Sequence, residues 1–250
     1  PRFDLDTNIV GTFNMLETVK LLKLKCIFIY PSTNKVYGDL KKLKIKEKKN
    51  KYSFLYSKSV DEKQPIDFHS PYGCSKGSAE QYVLDYSRNS NLKSFSVRQS
   101  CIYGPNQYGH EDQGWISWIL MCSIFKKKIN IFGNGKQVRD ILYIDDLVSL
   151  YDLIIKHSKS LNSSVINCGG GINNSLSIIE LINHIHKEFG IKSNYVKKKE
   201  RLGDQKVYIS NIKLAKNKLN WSPKINVKKG IRFLFNLILS EKKYLKKIIK

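Results

Sequence analysis

Two short apolar runs, each ending in a loop with hydroxyl and glycine residues, constrain the fold of this chain more than any other feature. The first run, Lys25–Tyr30, continues into Pro31–Gly38, and the second, Phe95–Arg98, continues into Gln99–Pro105. Runs of this length are typical of buried strands, and the stretch between them is typical of a helix from Pro71 onwards. Ligands of open α/β sheets bind at the carboxyl ends of the strands. The pattern therefore predicts that the loops after the two strands carry the functional side chains.

The predicted helix carries a tyrosine and a lysine four residues apart, Tyr72 and Lys76. Residues at i and i+4 share one face of a helix and can touch. An ammonium beside a phenol favours the phenolate and lowers its pKa, which makes tyrosine a usable general base for an alcohol proton. In a chain with 14 Tyr and many Lys such a pair also arises by chance. The competing interpretation is therefore an exposed helix pair without a chemical role.

Three further segments, Ser32–Gly38, Arg98–Pro105 and Glu111–Trp115, accompany this pair. Together they resemble the extended short-chain dehydrogenase/reductase family, whose members are NAD-dependent nucleotide-sugar epimerases and dehydratases. Within that family the segments are most similar to the CDP-paratose (CDP-tyvelose) 2-epimerase subgroup. The resemblance runs from Asn8 to about Pro223. It also includes Lys136–Asp146, Arg201–Gln205 and Leu219–Pro223.

The resemblance implies an α/β fold with the C-terminal part of a doubly wound Rossmann-type parallel sheet and a smaller α/β substrate-binding domain. Residues 1–105 and about 137–172 would form the remainder of the NAD-binding Rossmann domain. Residues 106–136 and 173–250 would form the nucleotide-sugar-binding domain. Family members pair two subunits through the helices expected here at Asn8–Leu24 and Pro71–Ser90, so the resemblance also implies a homodimer.

The resemblance assigns roles to individual residues. The catalytic residues would be Thr33, Tyr72 and Lys76. The cofactor NAD would contact Tyr72, Lys76, Ser32 and Gln99. The nucleotide-sugar substrate would contact Asn34, Lys35, Ser100, Cys101, Arg139 and Arg201. Many relatives have Asn at the position of Cys101, which cannot replace that amide, although the 2-epimerase subgroup shares the Ser-Cys pair.

The implied reaction is C2 epimerisation of a CDP-hexose. The hydrogen on that carbon is not acidic, because no carbonyl group lies next to it. Oxidising the alcohol to a ketone removes the stereocentre, and returning the hydride to the other face inverts it. NAD would carry the hydride, and Tyr72 would move the hydroxyl proton.

No G-x-x-G-x-x-G segment follows a strand in this sequence. The run Gly169–Gly171 follows the strand-like Val165–Cys168 but lacks the spacing of a dinucleotide loop. We therefore expect the first mononucleotide-binding half, which holds the adenosine and pyrophosphate of NAD, to be missing. The alternatives are a partial sequence of a working epimerase and a truncated, non-catalytic remnant that binds NAD weakly or not at all.

Composition bears on partners and location. The net charge of +23 comes mainly from Lys spread along the chain, and aromatic residues are not interleaved with it as a base-stacking surface requires, so we expect no nucleic-acid partner. The five Cys show no C-x-x-C and the five His show no metal spacing, so we expect no metal. No apolar run approaches the roughly 20 residues of a membrane span, and no signal peptide is visible. These features predict a cytoplasmic protein without membrane contact.

The main enzymatic alternative is a nucleotide-sugar 4,6-dehydratase. Such enzymes carry Thr-Asp-Glu where this chain has Thr33, Asn34 and Lys35. Their Asp and Glu act as acid and base in eliminating water, which Asn34 and Lys35 cannot do. A 4-epimerase or a reductase stays possible because both use the same Thr, Tyr and Lys, and the nucleotide and sugar stay open.

Four local expectations complete the sequence analysis. Asp6 or Thr7 is expected to cap the first helix, and Asp145 the helix that runs to His157. The Lys-rich stretch from Asp39 to Ile66 is expected to be a surface insertion. Tyr103 is expected to pack rather than to react.

Overall fold

A computed structural model describes residues 1–90, 92–162, 164–201 and 203–248. Its helices are α1 (Arg2–Asp4), α2 (Gly11–Leu21), α3 (Pro71–Asn89), α4 (Trp115–Ile124), α5 (Ile144–His157), α6 (Ile178–Phe189), α7 (Lys213–Leu219), α8 (Val227–Ser240) and α9 (Lys242–Ile248). A π-helical segment, Leu5–Val10, joins α1 to α2, and short 3₁₀ turns span Asn34–Tyr37 and Ile172–Asn174. Leu202, within one of the similar segments, and the last two residues of the predicted C-terminal domain lie outside the described residues.

The strands occur in groups of two or three between successive helices. They are β1 (Ile27–Thr33), β2 (Ile45–Glu47), β3 (Tyr52–Phe54), β4 (Lys93–Gln99), β5 (Cys101–Tyr103), β6 (Lys128–Phe132), β7 (Val138–Tyr143), β8 (Ser164–Cys168), β9 (Ser175–Ser177), β10 (Asn194–Lys198) and β11 (Val207–Tyr208). The predicted strands at Lys25–Tyr30 and Phe95–Arg98 are thus present as β1 and β4.

A parallel sheet in the order β1–β4–β8 positions the site. Thr33 pairs with Gln99, and Gln99 pairs with Cys168, so the carboxyl ends of the three strands meet at one edge. A second sheet has the order β11–β7–β5, with β9 antiparallel to β7. β10 and β6 form a parallel pair, and β2 and β3 an antiparallel hairpin. The α/β fold predicted from the sequence is confirmed.

Two large apolar clusters build the core. One packs α5 and α7 against the β1–β4–β8 sheet, through residues such as Phe95, Leu150 and Trp221. The other packs α4, α6 and α8 around β6 and β7, through residues such as Leu120 and Ile185. The two domains predicted from the sequence, and their boundaries, stay predictions. Tyr103 is buried in the second cluster, as expected.

Both predicted caps are wrong. The first helical segment begins at Arg2, ahead of Asp6 and Thr7, and Asp6 accepts from Arg2 at 2.7 Å instead of capping. Asp145 lies inside the first turn of α5, because Tyr143 is the last extended residue before it. There Asp145 still stabilises the helix through the dipole at its amino end.

The predicted surface insertion from Asp39 to Ile66 is wrong in part. It contains the β2–β3 hairpin, and Leu40, Phe54 and Val60 are buried against Val207 and Tyr208. Val60 also bridges to Ser210 in parallel. The Lys residues, which led to the prediction of a surface stretch, lie between these buried apolar residues. The apolar residues themselves follow no regular period.

Within the described residues, none of the helices has the length and apolarity needed to cross a bilayer.

The contact between α8 and the end of β5 provides a test of the packing. A Cβ at Gly230 would lie 2.0 Å from the Tyr103 hydroxyl, whereas at Gly11 the nearest atom would be 3.6 Å away. We expect Gly230→Ala to destabilise the fold by roughly 1–3 kcal/mol, despite the better helix propensity of Ala. The matched control Gly11→Ala should be neutral or stabilising by up to about 1 kcal/mol. Urea denaturation measures both, and a stabilised Gly230→Ala variant would contradict the packing.

Candidate functional site

Thr33 and Tyr72 meet at the carboxyl edge of the β1–β4–β8 sheet. Thr33 is the last residue of β1 and is buried; its hydroxyl donates to the Asn34 side chain and accepts from the Lys35 amide, both at 3.3 Å. The same hydroxyl lies near enough to the Tyr72 phenol to affect the pKa of that phenol. Ser70 caps α3 by accepting from the Gly73 amide at 3.0 Å, with Pro71 in the first turn. A Cβ at Gly73 would come within 2.9 Å of the Lys35 carbonyl. A glycine there lets the first turn of α3 approach the loop after β1 closely enough for this contact.

Lys76 follows one turn later and is buried. Its ammonium lies 4.3 Å from the centre of the Tyr30 ring, a cation–π contact. Burial lowers the pKa of Lys76 to about 8, against the opposing effect of the Glu80 carboxylate.

The pKa of Tyr72 lies above its ordinary value. Burial raises it, the nearby Thr33 hydroxyl lowers it, and the Asp4 carboxylate raises it further. The Lys76 ammonium lies over the Tyr30 ring. The lowered phenol pKa predicted from the sequence is therefore wrong for this structure, although the two side chains share a helix face as expected.

The two other residues predicted to contact the cofactor differ in their surroundings. The Ser32 hydroxyl, next to Thr33, is buried and has no hydrogen-bond partner among the described residues. Gln99 donates its amide to the Tyr151 hydroxyl at 2.6 Å. Ser32 thus has hydrogen-bonding capacity left for a ligand, whereas the Gln99 amino group is already engaged.

Four of the predicted substrate residues line one cleft of about 270 Å³: Lys35, Cys101, Arg139 and Arg201. The cleft lies between the strand-end loops and helix α4. A larger cleft of about 700 Å³ lies at the opposite, amino ends of β1 and β4 and contains none of the predicted site residues. Sequence motifs far apart in the chain are thus brought together in the smaller cleft.

Asp204 joins two of these cations. Its carboxylate accepts from Lys35 at 3.1 Å and from Arg139 at 2.7 Å. Burial alone would raise the pKa of Asp204, but Arg139 and Lys35 outweigh it and lower the pKa. Burial and Arg139 in turn lower the pKa of Lys35, and Asp204 opposes them. The carboxylate therefore holds both cations at the cleft wall.

Arg201 lies at the other side of the cleft. Its guanidinium lies 4.0 Å from the centre of the Phe132 ring and donates to Asp112 at 2.6 Å. Burial raises the pKa of the neighbouring Cys101 thiol, so this side chain offers the cleft a neutral group.

Asn34 and Ser100 do not line this cleft. The Asn34 amide donates to Gln205 at 3.2 Å, and Gln205 donates back to the Asn34 carbonyl. The Ser100 hydroxyl donates to the buried Asp140 at 2.5 Å. Both side chains are used in holding neighbouring segments together, and their assignment as substrate contacts stays a prediction.

Sequence reasoning missed several residues of the cleft. Asp204 lies three positions from the predicted Arg201, and the Gly203-Asp204 pair was the signal available for it. Phe132 ends β6, and Trp115 and Trp118 lie in the first turn of α4; none of the three was predicted as a site residue. Within the described residues, no group of three or more His, Cys, Asp or Glu is arranged to hold a metal ion.

The chain is similar to enzymes that act on nucleotide sugars. The sequence profile of the family described as GDP-mannose 4,6 dehydratase matches residues 1–234. A CDP-paratose 2-epimerase of Salmonella typhi is 39% identical over 242 residues, which cover 94% of this chain and 72% of the relative.

Solved structures show the same fold. A UDP-glucose 4-epimerase of Thermotoga maritima with UDP-glucose superimposes with a TM-score of 0.82 at 28% identity, covering 98% of this chain and 72% of that one. A UDP-glucuronic acid 4-epimerase of Bacillus cereus, in complex with UDP-glucuronic acid and NAD, has a TM-score of 0.80 at 27% identity, covering 94% and 68%.

Because the Asp204 carboxylate pairs with both Lys35 and Arg139, we expect the protein to lose stability in acid. A carboxyl whose folded pKa is lowered stabilises the fold above its ordinary pKa, here 3.8, and this contribution disappears as the pH falls through the folded pKa. Between neutral pH and roughly pH 3, wild type should therefore lose more unfolding free energy than Asp204→Asn. Asp152→Asn, at an exposed position of α5, is the control and should follow wild type. Equal losses in wild type and Asp204→Asn, measured by urea unfolding, would contradict the arrangement.

Proposed function

Because the chain belongs to the GDP-mannose 4,6-dehydratase family of nucleotide-sugar epimerases and dehydratases, we propose that it serves as an NAD-dependent 2-epimerase of a CDP-hexose. The observation that carries this proposal is the approach of the Thr33 hydroxyl to the Tyr72 phenol, beside a cleft lined by Lys35, Arg139 and Arg201. The similarity to the CDP-paratose 2-epimerase of Salmonella typhi supports the choice of carbon and nucleotide.

The proposed reaction passes through a ketone. When bound, NAD supplies the hydride acceptor and gives the hydride back, so no net oxidation occurs. Thr33 holds the substrate oxygen by a hydrogen bond, and Tyr72 takes its proton and later returns it. Lys76 supplies the positive charge that favours the phenolate. Since its ammonium lies over Tyr30 in this structure, the proposal requires it to turn towards Tyr72 in the loaded enzyme.

The residues of this chain fit one end of the cofactor. The buried, unpartnered Ser32 hydroxyl and the Lys76 ammonium offer hydrogen bonds to a polar group such as a ribose. The glycines after β8 do not form a phosphate loop, because a Cβ at Gly169 would lie 2.2 Å from Asp140 and one at Gly170 would lie 2.1 Å from the Ile141 carbonyl. Among the described residues we therefore assign contacts to the nicotinamide end alone.

The cleft lined by Lys35, Arg139 and Arg201 would hold the substrate. Guanidinium groups match the geometry of a diphosphate, and the Arg201 and Phe132 pair provides a flat wall for a base or sugar. Asp204 keeps Lys35 and Arg139 in place until an anion arrives.

A 4-epimerase is the second candidate, favoured by the named activities of the two solved relatives. Elimination of water fits less well, because Asn34 is engaged with Gln205 and Lys35 is paired with Asp204. We further propose a homodimer through α2 and α3, where Phe13, Leu21 and Tyr82 are exposed, and a cytoplasmic location, with which the free cysteines agree.

Removing the phenolic oxygen tests the proton transfer. We expect Tyr72→Phe to lower kcat for CDP-paratose by roughly 10²–10⁴ with little change in KM, because Tyr72 acts on the reacting hydroxyl. Tyr56→Phe, at an exposed tyrosine outside both the site and the proposed dimer interface, is the matched control. Chromatography separates the epimers, and mass spectrometry distinguishes a product of unchanged mass from one that has lost water. An active Tyr72→Phe enzyme would show that Tyr72 does not transfer the proton. A product that has lost water would show that the reaction is a dehydration instead of an epimerisation.

Substrate binding is testable on the 250-residue chain by calorimetry with CDP and UDP. We expect CDP to bind, and Arg201→Gln to weaken it about tenfold or more, because a charge-assisted hydrogen bond contributes about 1.5–3 kcal/mol. Arg88→Gln, exposed near the end of α3, should bind like wild type. An unchanged CDP affinity in Arg201→Gln would show that Arg201 does not contact the nucleotide. Tighter binding of UDP than of CDP would argue for a UDP-sugar substrate.

A further inference from the structure

Tyr30 lies on β1, against helix α3, and contacts Lys76 at two points. Its ring centre is 4.3 Å from the Lys76 ammonium, and its hydroxyl donates to the Lys76 main-chain carbonyl at 3.2 Å. Tyr30 lies three positions before Thr33 in the same strand. One strand residue thus contacts both the charged end and the main chain of the lysine predicted to be catalytic.

The Tyr30 ring is held by its own packing. Tyr30 is only 4% exposed, and it belongs to an apolar cluster with Leu16 of α2 and with Ala79 and Val83 of α3. Close-packed side chains in such a cluster keep one arrangement. The ring therefore offers the ammonium a fixed position and does not follow it if it moves.

The cation–π contact fixes where the Lys76 charge lies. Lys76 is buried, and within the described residues its ammonium makes no hydrogen bond and no ion pair. The Glu80 carboxylate, one turn further along α3, is paired with Arg98, whose Nε donates to it at 3.1 Å. The face of an aromatic ring attracts a cation at the distance seen for Tyr30. This ring is therefore the partner that holds the buried ammonium.

Tyr72 is the group that would compete for the same charge. It lies one turn before Lys76 on the same face of α3, and an ammonium beside a phenol favours the phenolate. The groups that act on Tyr72 in this structure are the Thr33 hydroxyl and the Asp4 carboxylate, neither of which is positively charged. The cation that the proposed function assigns to Tyr72 therefore lies over Tyr30 instead.

We propose that Tyr30 is a positioning residue whose ring provides the resting position of the Lys76 ammonium, away from the Tyr72 phenol. The functional meaning of this role rests on the proposed function, in which Lys76 supplies positive charge to Tyr72. Tyr72 then stays a neutral phenol until a ligand with several hydrogen-bond acceptors, such as a ribose, draws the ammonium off the ring. An ammonium has three donors, and the ring leaves them without oxygen or nitrogen acceptors, so such a ligand favours the exchange.

The direct test is the position of the Lys76 side chain, measured by NMR in the 250-residue chain with lysine labelled at ¹³Cε. Lys76→Met identifies the lysine signal, and Tyr30→Phe and Tyr72→Phe identify the two tyrosine rings. Protons above the face of an aromatic ring are shifted upfield. We therefore expect the Lys76 Hε signal to lie upfield of the other lysines, with stronger nuclear Overhauser contacts to the Tyr30 ring than to the Tyr72 ring.

Two variants of Tyr30 separate the effect of the ring from that of the hydroxyl. Tyr30→Phe keeps the ring and should keep the upfield shift. Tyr30→Leu should lose the shift and strengthen the contacts between Lys76 and the Tyr72 ring, because the competing π-face is gone. Tyr56→Leu, at an exposed tyrosine outside the site, is the control and should give the wild-type Lys76 signal.

An ordinary Lys76 shift in wild type would overturn the inference, as would an upfield shift that persists in Tyr30→Leu or contacts with Tyr72 that do not strengthen there. If Tyr30→Leu fails to fold because of the cavity that it leaves, the wild-type and Tyr30→Phe spectra carry the test. Loss of the upfield shift in Tyr30→Phe would then overturn the role of the ring. The measurement needs neither cofactor nor turnover, so its failure is a separate result from an active Tyr72→Phe enzyme, which would overturn the proposed function.

Discussion

The in-register ends of three parallel strands are the constraint on which the rest of the site depends. Because Thr33, Gln99 and Cys168 lie at equivalent positions of β1, β4 and β8, the loops after these strands must leave the sheet at one edge. Helix α3 packs across that edge, and Gly73 allows its first turn to approach the loop after β1. The approach of Tyr72 to the Thr33 hydroxyl follows from this geometry. Buried hydrogen bonds of Glu80 and Arg98 then lock the helix in register with the strands.

The positive charges of the site are paired with nearby carboxylates, although the chain as a whole carries a net charge of +23. Three cations line the small cleft, and acidic side chains hold them: Asp204 pairs with Lys35 and Arg139, and Asp112 pairs with Arg201. Unpaired cations at a partly buried wall would repel one another, and the carboxylates reduce this cost. Under the proposed function, an anionic diphosphate takes over one or more of these partners.

Much of the fold and part of the site could be predicted from the sequence. Strands β1 and β4, helix α3 and the capped helix α6 were predictable because their patterns are local: an apolar run, or a cap such as Ser177 with Glu180. The Asp39–Ile66 stretch was misread because Leu40, Phe54 and Val60 are buried by distant partners. The pKa of Tyr72 was predicted in the wrong direction, because spacing shows that Lys76 shares its face but not that Tyr30 takes up the ammonium.

The sequence by itself determined the order of the motifs and, through the resemblance that these motifs carry, the α/β class and the candidate site residues. Only the tertiary structure decided which of the predicted residues meet. It placed Lys35, Cys101, Arg139 and Arg201 around one cleft, revealed Asp204 between two of them, and directed Asn34 and Ser100 to other partners. The physical reason is that contacts between residues about a hundred positions apart are set by strand register and packing, which no local pattern encodes.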